Sequence, residues 1–68
     1  MMTLKQALEL VDKTRQGAIH RQNYAAHRES IFEAYGVIKD AVPVTREHKA
    51  TLEAQAHELF VFVGDCTR

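Results

Sequence analysis

One cysteine, one proline, no tryptophan and no net charge leave this chain of 68 residues without several of the usual supports of a small fold. Because Cys66 stands alone, no intramolecular disulfide can form. Near the end of the sequence, with no helix N-terminus to activate it, this thiol reads as inert and set in a frayed tail, and it fits a reducing cytoplasm. Nine Lys and Arg balance nine Asp and Glu, which removes the composition-level argument for a dedicated nucleic-acid binder. No apolar run approaches the roughly 20 residues of a membrane span, and the N-terminus lacks the charged-then-apolar layout of a secretion signal. The expectation is a soluble cytoplasmic protein with no membrane partner.

Length sets a further bound. A chain this short shields only about 60% of the surface its unfolded form exposes, so residues 1–68 make one domain with a thin margin over conformational entropy. Small folds usually close that gap with disulfides, a structural metal or self-association, and here self-association is the readiest of the three.

What is present is helical periodicity. Thr3 and Gln6 have the spacing of a capping box, after which Leu4, Ala7, Leu8 and Val11 line one face to about Thr14. Gly17 and the polar residues to Asn23 permit either a short break or one long helix through a solvated middle. Tyr24, Ile31, Tyr35, Ile38 and Val42 then recur at spacings of seven, four, three and four, with Phe32 and Ala34 widening the stripe and Arg28 laying its methylenes over it. Gly36 either admits a close helix neighbour or has no role. Pro43 stops this second helix, because it disfavours the helical region at Val42 and has no N–H to donate.

After the Pro43-Val44-Thr45 corner, Thr45 is placed to cap a third stretch in which Leu52, Ala56, Leu59 and Val63 share a face, and Gly64 is placed to close it. Residues 59 to 63 are all apolar and fit either a helix apolar on more than one side or a buried strand; the Thr45 cap and the preceding Ala and Glu residues favour helix. The fold class expected is therefore all-α: a small bundle of two to three helices with a hairpin turning at Pro43, completed by dimerisation. Its core is expected to use Leu8, Val11, Ile31, Tyr35, Ile38, Leu52, Leu59 and Val63.

Groups that carry chemistry are sparse. Glu53 and His57 lie four apart, a spacing that serves proton transfer, metal binding or an ordinary surface ion pair equally well. Neither HExxH nor CxxC occurs, and His20 and His27 stand two turns apart on a continuous helix, too far to share an ion. With no nucleophile grouping and no glycine-rich phosphate loop, the expectation is a non-enzymatic protein without cofactor, metal or small-molecule substrate. An apolar surplus that one hairpin seam cannot bury points to a protein partner, with Phe32, Tyr35, Leu59, Phe60, Phe62 and Val63 as interface residues.

Charge distribution supplies the alternative. Residues 13 to 28 hold Lys13, Arg15, Arg21 and Arg28 with His20 and His27 and no carboxylate, whereas the segment from Thr45 onward is mildly acidic. On a continuous helix Arg21 and Arg28 share a face, and with Lys13 and Arg15 they form a candidate phosphate-binding surface. The opposed charges also favour settling two helices, or two copies, in register.

In size, balanced charge, single cysteine and helical hairpin without chemistry, the chain from Thr3 through Val63 resembles the small early-region accessory proteins of temperate lambdoid phages. That resemblance implies a dimeric, non-enzymatic protein acting on a host or phage partner to bias a regulatory process such as the choice between lysis and lysogeny. It implies no functional residue.

Overall fold

A computed structural model describes residues 2–67. Three helices follow one another along the chain: α1 (Leu4–Gln16), α2 (Tyr24–Asp40) and α3 (Arg46–Cys66). Together they form an all-α bundle measuring 36 × 22 × 18 Å, with no strand among the described residues. α2 packs along both neighbours, while α1 meets α3 over a shorter stretch.

Local chemistry sets most of the boundaries. The Thr3 hydroxyl accepts from the Gln6 N–H, and the Gln6 carboxamide accepts from the Thr3 N–H, so two otherwise orphaned donors at the start of α1 are satisfied together. Gly17 ends that helix at φ 81°, a left-handed backbone that side chains with a Cβ adopt only with strain. The chain therefore breaks between α1 and α2. Asn23 braces the break by accepting from the His20 N–H at 2.7 Å and donating to the Ala18 carbonyl at 3.0 Å. Ile19 plugs it, buried among the core side chains. The sequence reading took residues 17–23 as polar throughout, and Ile19 corrects it.

The second boundary falls earlier than the periodicity implies. α2 stops at Asp40, Ala41 is already extended, and Val42 is 86% exposed rather than part of the stripe. Pro43 imposes this by forcing the residue before it out of the helical region. Thr45 then caps α3 by accepting from the His48 N–H at 3.0 Å. Residues 59 to 63 are helical, and Gly64 does not close α3: the helix runs through it to Cys66, where the Thr67 N–H bonds to the Val63 carbonyl. A glycine cap needs a left-handed residue, and Gly64 has no positive φ.

Ala7, Val11, Ile19, Tyr24, Ile31, Ala34, Ile38, Leu52, Ala56 and Leu59 make the buried core. Ile31, Ile38, Leu59 and Val11 are its largest fully enclosed side chains, each worth about 1.5–3 kcal/mol relative to exposure. Leu8, Tyr35 and Val63, expected in the core, pack at its edge. Gly36 admits no close helix neighbour, since a Cβ there would meet nothing within 4 Å. Cys66 is not in a frayed tail but ends α3, partly buried against the core. Burial, with Asp65 beside it, pushes its thiol above the ordinary range against the opposing pull of Arg21.

A charged clamp joins the first helix to the last. Arg15 holds the Glu58 carboxylate with two parallel bonds, 2.7 Å from Nε and 2.8 Å from a terminal nitrogen, and lies 3.5 Å from Asp12. The opposed charges of the two halves thus set α1 against α3 within one chain. The hydrogen bond from Arg15 is the main reason the Glu58 carboxyl titrates below its usual range. A depressed carboxyl contributes stability that is complete above its unfolded value, about pH 4.3, and fades as pH falls through the lower folded value. Glu58→Gln is accordingly expected to melt below the native protein at neutral pH, with the gap closing on acidification. Melting temperatures of both proteins against pH check this; a gap constant down to strong acid would show that the clamp is not charged as drawn.

Candidate functional site

The hairpin of α2 and α3 leaves a groove that no α1 residue lines. It has a volume of about 490 Å³ and runs between Tyr35, Ile38 and Lys39 on α2 and Lys49, Leu52, Glu53, Ala56, His57 and Phe60 on α3, with Ala41 and Pro43 at the corner. The antiparallel pairing of the helices builds it: Ile38 and Leu52 turn inward to form its floor, and the next residues around each helix form its walls. Lys39 places its Nζ 5.5 Å from the centre of the Tyr35 ring, so one wall is an aromatic face under a cation.

Of the six residues expected at an interface, three lie on this outer side. Tyr35 lines the groove, Phe60 stands at its edge with 65% of its surface exposed, and Phe32, one turn before Tyr35 on α2, is 51% exposed. The other three turn inward. Leu59 is fully buried in the chain's own core, which removes it from any interface. Phe62 packs edge-on against Tyr24, with ring centres 6.0 Å apart and planes at 68°, and Val63 lies against the core. A helix advances about 100° per residue, so five consecutive apolar side chains must spread around the axis: Leu59 inward, Phe62 toward Tyr24, Phe60 and Val61 out.

Sequence reasoning missed Val42 and Val44, both 86% exposed on the corner, and Val61 on the outer side of α3. With Phe32 and Phe60 they are the exposed large hydrophobics among the described residues, and all five belong to the hairpin or its corner. The signal was available at Pro43, which excludes its neighbour Val42 from the helix and hence from the buried stripe.

The cations of the alternative reading do not share a helix face. α2 begins at Tyr24, so Arg21 lies in the preceding turn and the seven-residue spacing to Arg28 places nothing in line. Arg15 is held by Glu58. Tyr24, which sits between the arginines in sequence, is buried, and its hydroxyl finds no hydrogen-bond partner among the described residues. Glu53 and His57 both line the groove, and among the described residues no three His, Cys, Asp or Glu side chains come together as a metal-ligating set. Among the described residues no helix is long and apolar enough to cross a membrane.

No family model, curated protein or solved structure matches the chain.

Proposed function

We propose that the protein is a non-enzymatic, homodimeric interaction module that recognises protein through the α2 and α3 hairpin, and that it serves as a phage early accessory protein biasing host or phage regulation. The observation that carries the recognition reading is the groove between α2 and α3, with Ile38 and Leu52 as its floor, Tyr35 on its wall and Phe60 largely exposed at its edge, on a hairpin that also exposes Phe32. Exposed aromatic side chains beside a groove with an apolar floor mark an interaction surface. Aromatic residues at the centre of such a surface supply most of the binding energy in protein complexes, while the charged rim of Lys39, Lys49 and Glu53 sets orientation. The regulatory role rests on the resemblance in size, charge balance and hairpin organisation, and on a surface suited to binding without a grouping suited to catalysis.

The test is affinity capture from bacterial lysate with and without nuclease, for the native protein, for Phe60→Ser and for the double variant Arg21→Glu, Arg28→Glu. A discrete protein that survives nuclease, disappears with Phe60→Ser and persists with the charge reversals is the expected result. Capture that vanishes with nuclease and with the charge reversals would overturn the reading in favour of nucleic acid.

A further inference from the structure

We propose that the corner between α2 and α3 is an acid-sensitive joint, closed while the His48 imidazole is neutral and released when it takes up a proton. The joint is independent of what the hairpin recognises.

Residues 42–44 have few ties to the bundle. The Val42 and Val44 side chains are each 86% exposed, so packing does not fix them, and Pro43 has no N–H to donate. Among the described residues the single hydrogen bond made by this segment runs from the Val44 N–H to Nδ1 of His48, at 3.1 Å. His48 is the third residue of α3, and its own N–H donates to the Thr45 hydroxyl at 3.0 Å. The two bonds make a reciprocal cap. In it the imidazole takes the place of the Glu or Gln oxygen that ordinarily reaches back from this position, and it reaches one residue further, to Val44 instead of Thr45.

An imidazole nitrogen accepts a hydrogen bond only while it carries no proton, and histidine is the side chain whose charge ordinarily changes between about pH 5 and 8. Protonation turns Nδ1 from an acceptor into a donor, so that two N–H groups face each other where one bond had been. It also sets a positive charge in the first turn of α3, against the positive end of the helix dipole. Both effects have the same sign. The unfolded chain has no such bond to lose, so the contribution of the joint to stability is complete while the ring is neutral and is lost as pH falls through the histidine range.

The charged groups at this end of the bundle do not reverse that sign. They are Lys5 on α1, Glu33, Lys39 and Asp40 on α2, and Arg46, Glu47 and Lys49 on α3. Opposite charges nearly balance there, and among the described residues no carboxylate is ion-paired with the His48 ring. The connection between α1 and α2 is built differently. Its His20 also accepts through Nδ1, from the Gln22 N–H at 3.2 Å, but that ring shares a hollow with Arg21, Cys66 and Asp65, a carboxylate able to pair with an imidazolium. Two further bonds from Asn23 and the buried Ile19 hold that turn, whereas the corner at Pro43 depends on one imidazole.

The experiment follows urea unfolding of the native protein, His48→Gln and His48→Ala from about pH 8 to about pH 5, across the histidine range. Glutamine keeps an acceptor oxygen that does not titrate, and alanine has none. The carboxylates and the other three histidines are common to all the chains, so differences between them isolate position 48. The expected result is that the unfolding equilibrium constant of the native protein rises about fivefold relative to His48→Gln over this interval, the size of one hydrogen bond. His48→Ala should be less stable than the native protein at the alkaline end and match it at the acid end. In nuclear magnetic resonance spectra the Val44 amide signal should move with the same titration in the native protein and stay in place in His48→Gln. Parallel native and His48→Gln curves with a Val44 amide that does not titrate would overturn the joint, and so would a His48→Ala protein as stable as the native one at the alkaline end.

Discussion

Leu59→Ala is expected to abolish most of the stability of the isolated domain. Leu59 is fully enclosed at the centre of α3 and belongs to the same core cluster as Ile31, Ile38 and Val11. Truncating a buried leucine costs about 2–5 kcal/mol, partly through lost transfer energy and partly through the cavity left behind. A domain of this length has a total of about 3–10 kcal/mol to lose. Urea unfolding followed by far-ultraviolet circular dichroism should therefore show the midpoint of Leu59→Ala displaced to low denaturant, with a sizeable unfolded fraction in buffer. Val44→Ala, on an exposed corner, is the matched control and should stay within about 0.5 kcal/mol of the native protein. If Leu59→Ala cost no more than that control, the side chain could not be packed as described, and its place as an interface residue would have to be reconsidered.

The glycines should respond with opposite signs, which makes them a sharp check on the backbone. Gly17 holds a left-handed conformation at φ 81°, so Gly17→Ala is expected to destabilise by about 1–2 kcal/mol although no neighbour lies within reach of the new methyl group. Gly36 and Gly64 sit inside helices with open space where a Cβ would stand. There alanine removes the entropic disadvantage of glycine, and each substitution should stabilise by about 0.8–1 kcal/mol. Thermal melts of the three single variants give the comparison directly. Destabilisation by Gly36→Ala would indicate a close neighbour at that position, and a neutral Gly17→Ala would mean that α1 continues past residue 17.

Features decided within a few residues were legible before the fold was known. The Thr3 and Gln6 box, the Thr45 cap and the stop imposed by Pro43 each depend on a side chain and the backbone beside it, so sequence spacing suffices to locate them. The core stripe was legible for the same reason, because Ile31, Ile38, Leu52 and Leu59 repeat at the helical period. Ile19 was not, since one apolar residue among polar ones has no period and becomes a core residue only when the Gly17 turn directs it inward.

The candidate surface was harder still. Periodicity identifies that residues 59 to 63 cover more than one face, yet only the position of α1 decides which face is spare. Leu59 and Phe60 are adjacent in sequence, and a rotation of 100° separates a fully buried side chain from one that meets solvent. The alignment of Arg21 with Arg28 was misjudged for a related reason: it assumed a continuous helix from residue 21 to 28, and the chain turns before Tyr24.

The order of the helices also governs how the chain finds this arrangement. Connections of seven and five residues join α1 to α2 and α2 to α3, so each helix can collapse onto its neighbour across a short loop, and the low entropy of such closures belongs to rapidly folding proteins. Contact between α1 and α3 spans the longest separation, 43 residues at the Arg15 and Glu58 clamp. The clamp is thus placed to act as a latch fastened after the hairpin has assembled, slowing the escape of α1 more than it hastens its arrival.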